Sequence, residues 1–144
     1  MSRTPLRPAE AYRASRPIPT RWMDNDVYGH VNNVVFYSWF DTAVNSHLLE
    51  AGLLTMDESA IIGLVVDSQC RYARPIAFPE TVIARLRVAH LGKSSVRYEI
   101  GLFTEGHEEA AAEGHFVHVY VDRASRRPVA LPDEWRAALD RVAA

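Results

Sequence analysis

The chain is short of cysteine, of long apolar runs and of net charge, and each shortage excludes something. Cys70 is the only cysteine among 144 residues. No intrachain disulfide can therefore staple the fold, and a lone thiol suits a reducing compartment. No stretch approaches the ~20 apolar residues of a membrane span, and the first residues lack the apolar centre of a secretory signal. A cytoplasmic protein with no membrane contact is expected. Sixteen basic residues stand against eighteen acidic ones, a net charge of −2, which gives no general attraction to nucleic acid. The six histidines form no metal signature. There is no His-Glu-x-x-His helix, and His115 and His118, three apart on an expected strand, point to opposite faces. Ser94 and Ser95 lack the glycine frame of a nucleophile elbow, and the turn at Gly92 lacks Walker spacing. No metal and no cofactor are expected.

What remains is ordinary for a globular domain, 48% hydrophobic and 24% charged. A chain of this length buries roughly 68–70% of its unfolded surface, so it needs no staples. Residues 1–13, with two prolines and little pattern, read as a flexible arm, and residues 14–144 as a single domain. Residues 16–23 form a first strand that Pro17 and Pro19 hold at a sheet edge. Residues 24–32 are a loop. Over 33–51 the apolar residues Val34, Val35, Phe36, Trp39, Phe40, Ala43, Val44, Leu48 and Leu49 recur at helical spacing and cover more than one stripe, which predicts a largely buried helix. Asn32 or Asn33 can cap its start, and Gly52 sits where a helix-ending glycine belongs. The period then changes to two. Strands are expected over 61–72, 80–89, 96–102 and 111–121, with turns at 91–94 and 105–107, followed by a short helix over 132–142. Strands joined by short turns give an antiparallel sheet, and the one apolar helix is the only large element able to cover it. The expected class is α+β, a curved sheet around one helix. A small sheet with open edges commonly completes itself with another copy, so a homodimer or homotetramer is expected.

Residues 21–33 read Arg-Trp-Met-Asp-Asn-Asp-Val-Tyr-Gly-His-Val-Asn-Asn. Two carboxylates, a glycine, a histidine and three asparagines run directly into the apolar helix. A helix N-terminus offers unpaired N–H groups and a dipole that favours negative charge. A reaction that develops an oxyanion beside a carboxylate suits such a place.

This pattern, Asp-x-Asp-x-x-Gly followed by asparagines and a Tyr/Phe-rich helix, resembles the hotdog-fold thioesterases, and within them the 4-hydroxybenzoyl-CoA thioesterase-like family. Gly-His-Val-Asn-Asn-x-x-Phe-Tyr is a common form of the motif there. The resemblance spans residues 18–131, and the order of elements and the turn at Gly92, Lys93, Ser94 and Ser95 agree with it. It implies a hotdog fold and acyl-CoA thioester hydrolysis without a cofactor. By position, Asp26 matches the family's catalytic aspartate. Asn33 matches the residue whose backbone N–H meets the thioester carbonyl. Lys93 and Ser94 match a turn that contacts coenzyme A phosphates in some members.

Beside the resemblance stand plainer readings. Asp26 could be an Asx-turn residue, and Asp24 either caps the loop or pairs with Arg21. His30 either takes part in chemistry or only shapes the loop. Asn32 and Asn33 are helix caps, and Gly29 serves a tight turn or a close approach of substrate. Lys93 could meet a phosphate as a point charge or cap a solvated hairpin. If Asp26 acts, it is a nucleophile forming a mixed anhydride or a general base for water. Two other functions share these residues: a hotdog enoyl-CoA hydratase using Asp26 with His30, and a non-catalytic acyl-CoA or acyl-carrier binding module.

Overall fold

The computed structural model describes residues 5–56 and 59–144. Five strands, β1 (Ala14–Pro19), β2 (Ile61–Tyr72), β3 (Thr81–Leu91), β4 (Ser95–Thr104) and β5 (Ala112–Asp122), form one antiparallel sheet in the order β1-β3-β4-β5-β2. Helix α1 (Asn33–Glu50) lies against its inner face over β3 and β4, and the short helix α2 (Asp133–Asp140) closes one end. This is the sheet-around-a-helix hotdog arrangement.

Local chemistry sets the boundaries. The Asn32 side chain accepts the Val34 N–H at 3.0 Å and caps α1. At the other end Gly52, with φ +74°, turns the chain so that the Leu53 N–H reaches the Leu48 carbonyl at 3.0 Å. Only glycine adopts that backbone without strain. Alternation on β3 buries Val82, Ala84, Leu86 and Val88 on the inner face, where they meet Phe36, Trp39, Phe40, Ala43, Val44 and Leu48 of α1. Each such side chain contributes about 1.5–3 kcal/mol when fully buried.

Three expectations need correction. The first strand ends at Pro19; Trp22–Asp24 is a turn of 3-10 helix, because the Asp24 carboxylate folds back on Arg21. Helix α1 is buried on one flank only. Val34, Ser38, Asp41, Thr42 and Leu49 are exposed, because no element of the same chain covers that side. Strand β2 lies at the far edge beside β5, so β1 and β2 are the two edges. Finally, residues 5–13 are not a loose arm; the remainder of that segment lies outside the described residues. Tyr12 sits in a notch on the outer face left by Gly101, where an added Cβ would come within 2.7 Å of its ring. Arg7 bridges Glu99 at 3.6 Å and Glu113 at 3.4 Å. Burial would raise the Glu99 carboxyl, but the guanidinium groups of Arg87, Arg7 and Arg97 outweigh it and hold the group below its ordinary value.

The inner face carries one polar cluster. The Tyr98 and Tyr120 hydroxyls are 2.6 Å apart, and His118 Nδ1 is 3.2 Å from Tyr120 Oη. His118 Nε2 is buried without a partner among the described residues. Burial pulls the imidazole down to about 4. A histidine whose folded pKa lies below its unfolded ~6.5 contributes full stability above that value and loses it as pH falls toward the folded pKa. The loss is on the order of 3 kcal/mol at most. In urea unfolding at pH ~7, ~5.5 and ~4.5, the His118→Asn chain, which keeps a polar atom near Tyr120, should lose less stability across the series than the parent. Parallel declines would show that His118 is not the titrating group.

Candidate active site

The loop between β1 and α1 is built from short backbone bonds. Asn25 and Val31 pair as an isolated antiparallel bridge. The Asp26 N–H donates to the His30 carbonyl at 2.9 Å, and the Gly29 N–H to the Asp26 carbonyl at 3.1 Å. Gly29 takes φ +81°, which closes this turn. Two ties fix the loop to the body, and a third bond closes it on itself. The Val31 N–H reaches the Ile76 carbonyl at 2.7 Å, and Asn25 Oδ1 accepts the Phe78 N–H at 3.1 Å. The Asn32 N–H donates to the Asp24 carbonyl at 2.9 Å. Asp24 itself is 2% exposed and accepts from the Arg21 N–H at 2.8 Å, from Nε at 3.0 Å and from Nη2 at 2.7 Å. The first aspartate of the motif is thus an anchor paired with Arg21.

Asp26 is different. One oxygen, Oδ1, accepts the Tyr28 N–H at 2.9 Å, the Asx-turn bond. Among the described residues its second oxygen has no partner. The turn reading and a chemical role are therefore compatible, one oxygen for each. His30 meets Asp26 through backbone atoms only, and its exposed ring has no partner among the described residues. An Asp–His side-chain pair of the hydratase kind is not formed.

The start of α1 supplies the other half. Around it every N–H but one is spoken for. Asn32 bonds to Asp24, Val34 to the Asn32 side chain, and Val35 to the Asn32 carbonyl at 2.9 Å. The Asn33 N–H alone stands without a partner among the described residues, on the first residue of an 18-residue helix. The Asn33 carbonyl accepts the Tyr72 hydroxyl at 3.0 Å. Tyr72 and Asn25 are the positions that sequence reading missed. Asn25 lay inside the motif, but its bond to Phe78 spans 53 residues. Tyr72 arrives from β2 with no local signal.

Lys93 and Ser94 are not brought to this site by their own chain. The loop is tied to Phe78, just before β3, and the turn follows the far end of β3, ten residues on from Thr81 to Leu91. At ~3.3 Å per residue that is about 33 Å. There the Lys93 side chain is exposed, while its carbonyl accepts the Leu131 N–H at 2.9 Å. Lys93 thus stands about a strand length from the loop of its own chain.

Around the loop the surface is apolar. Val27 is 93% and Tyr28 82% exposed, and Trp22, Met23 and Val34 join them. On β2 residues 63–69 are exposed, including Leu64, Val65 and Val66. A concavity of about 1320 Å³ on the outer face is lined by Leu6, Tyr72, Arg85, Phe103 and His107 among others, but by neither Asp26 nor Asn33. Among the described residues no three of His, Cys, Asp and Glu gather as a metal site, and no helix is long and apolar enough to cross a membrane.

Known proteins share this architecture. The sequence model of the thioesterase-like superfamily matches residues 20–139. The PA5185 protein of Pseudomonas aeruginosa strain PAO1 is 55% identical, with a TM-score of 0.92 over 95% of this chain and 96% of that one. The PA2801 protein of Pseudomonas aeruginosa is 33% identical, with a TM-score of 0.82 over 88% and 98%. A thioesterase of Thermus thermophilus, solved with coenzyme A and zinc, is 30% identical, with a TM-score of 0.76 over 90% and 94%.

Proposed function

The chain belongs to the thioesterase-like superfamily, and on that premise we propose that it is an acyl-CoA thioesterase, releasing free acid and coenzyme A at the Asp26 loop. One observation carries this reading: the Asn33 N–H, which at the start of α1 has no partner among the described residues, stands at the end of the loop whose Asp26 carboxylate has one oxygen without a partner among those residues. The thioester carbonyl accepts from the Asn33 N–H, where the helix dipole adds to the donor. As the carbonyl carbon becomes tetrahedral, negative charge develops on that oxygen. One such preorganised donor is typically worth about 10²–10³ in rate. The free Asp26 oxygen either attacks the carbonyl carbon, so that the C–S bond breaks, coenzyme A leaves as the thiolate and water then hydrolyses the Asp26 anhydride, or it takes the proton of an attacking water, and the tetrahedral species collapses with C–S cleavage while that proton passes to the departing thiolate; both routes use the same atom. Gly29, lacking a side chain, and the Asn32 cap shape the approach, and His30 stands exposed beside it. The relative from Thermus thermophilus, which carries coenzyme A in its structure, supports a coenzyme A thioester over an acyl-carrier one.

The acyl slot forms between subunits. Twelve-residue β2 is an edge strand with exposed Leu64, Val65 and Val66, the kind of edge that pairs with a second copy. The chain should sediment as a dimer or tetramer, and Val65→Lys should shift it toward monomer. A monomeric parent at working concentration would remove the slot from this account. The activity is tested by thiol release from a panel of short, long, aromatic and polar acyl-CoAs. Turnover of one class names the substrate. Saturable binding with no turnover on any of them would instead favour a non-catalytic acyl-CoA binding module.

A further inference from the structure

The outer face of the sheet carries several arginines, and one of them has no counter-ion among the described residues. On β3, Arg87 stands opposite Glu99 of β4 and pairs with it at 2.7 Å. Earlier on the same strand Arg85 stands opposite Gly101, which has no side chain and whose notch the Tyr12 ring fills. One strand further on, the Glu113 carboxylate is taken by Arg7 at 3.4 Å and by Arg71 at 2.8 Å. On the other side of Arg85, β1 offers only Ser15. The Arg85 guanidinium accordingly makes no hydrogen bond and no ion pair among the described residues. Its Nε is buried, so the edge carrying the two Nη nitrogens is the one open to a partner. The Phe103 ring centroid lies 5.0 Å from its Cζ. A ring face steadies a cation but offers its N–H groups no acceptor.

Arg85 and Phe103 both line the outer-face concavity of about 1320 Å³. That is ample beside the roughly 300–1,000 Å³ of ordinary small-molecule sites. Leu6, Pro8, Ala9 and Ala110 add apolar surface around the cation. Three carboxylates also line the concavity, those of Glu10, Glu108 and Glu109, but all three residues are solvent-exposed and none pairs with Arg85.

We propose that this concavity is a second ligand site, for a small organic carboxylate with an apolar body, whose head meets the Nη edge of Arg85 while its body lies along Phe103 and Ala110. The proposal goes beyond the thioesterase reading and does not rest on it. A planar carboxylate matches the paired N–H groups of a guanidinium edge. One uncompensated positive charge matches one negative charge. A dianion would bring a second charge past three carboxylates with no cation left to meet it. The apolar walls favour a ligand with a body over a bare ion.

The test titrates benzoate, its neutral isostere benzamide and inorganic phosphate into the full chain, and follows backbone amide and arginine side-chain signals by NMR. Benzoate should move the Arg85 Nε–H signal and the Phe103 and Ala110 amides saturably, and benzamide and phosphate should leave them in place. In Arg85→Gln the affinity for benzoate should fall about 10- to 100-fold, the worth of a hydrogen bond to a charged group. The melting temperature should hold or rise, because an unpaired charge has gone. Arg85→Lys keeps the charge without the fork, so its loss should be smaller; it decides the matter if Arg85→Gln does not fold. Equal binding of benzamide overturns the proposal, since charge is then not read. Phosphate moving the same signals at lower concentration than benzoate overturns it in favour of a bare-anion site. Benzoate shifts confined to residues 24–33, no shift at all, or undiminished affinity in both variants overturn it as well.

Discussion

Asp26→Asn is expected to reduce thiol release by about 10²–10⁴-fold, the usual contribution of a positioned acid–base group, with little change in KM or melting temperature. The geometry makes this substitution unusually clean. In the parent, Oδ1 accepts the Tyr28 N–H at 2.9 Å, and the amide oxygen of asparagine can accept the same bond. The Asx turn, the 26–30 backbone bonds and the path into α1 then survive. What is lost is the negative charge on the second oxygen and its capacity to attack carbon or remove a proton. Asp26→Ala loses the turn bond as well and should lower the melting temperature slightly in addition. Kinetics on the best acyl-CoA of the panel, beside thermal melts, read both effects. Activity within about threefold of the parent, a change worth less than ~1 kcal/mol of barrier, would remove Asp26 from the mechanism and leave the Asn33 amide as the only assigned group.

The largest stability loss is expected at Gly114. This residue faces Cys70 in the β5–β2 register. A Cβ there would overlap the Gln69 carbonyl oxygen and come within 2.6 Å of Phe40 Cε2. Neither neighbour can yield cheaply: one is backbone of the adjoining strand, and the other is a fully buried ring of α1. Overpacking alone costs about 1–3 kcal/mol. Here β2 must also move off β5 and weaken ladder bonds, each worth about 1 kcal/mol. Gly114→Ala should therefore lose at least about 4 kcal/mol, which for a chain near this size lowers the melting temperature by roughly 8–16 °C. The damage should spread to function, because Tyr72 lies two residues beyond Cys70 on the displaced strand. A loss below about 1 kcal/mol would mean that the strands can separate at this point without cost.

Much of this was legible locally. Helix α1 was readable from its apolar spacing and from caps within three residues of its ends, Asn32 and Gly52. The Asp24–Arg21 pairing was readable because the partners are three apart and a short acid in a loop bonds to nearby backbone. Alternation on β3 fixed which side chains face the core, and the prolines placed β1 at an edge. The motif pointed to Asp26 and Asn33 because a turn, a cap and a helix start are all sequence-local.

What escaped lies farther apart along the chain. Nothing near Tyr12 says that Gly101 opens a notch for its ring, so residues 5–13 looked unattached. Nothing near Tyr72 says that its hydroxyl ends on Asn33, 39 residues earlier. The turn at Lys93 and Ser94 looked like part of one site because family position carries no distance, yet β3 holds it a strand length away from Asp26.

The sequence by itself thus determined the elements, their caps, the inner and outer faces and the loop that brings a carboxylate to a helix start, since these follow from backbone propensities and periodicity over a few residues. Only the tertiary structure decided that β2 crosses to the open edge, that one flank of α1 is left uncovered, and that the Asn33 N–H is the donor left free while its carbonyl is held from β2. Those are outcomes of which hydrogen bonds the folded chain completes across long separations, and no local pattern encodes which group is left over.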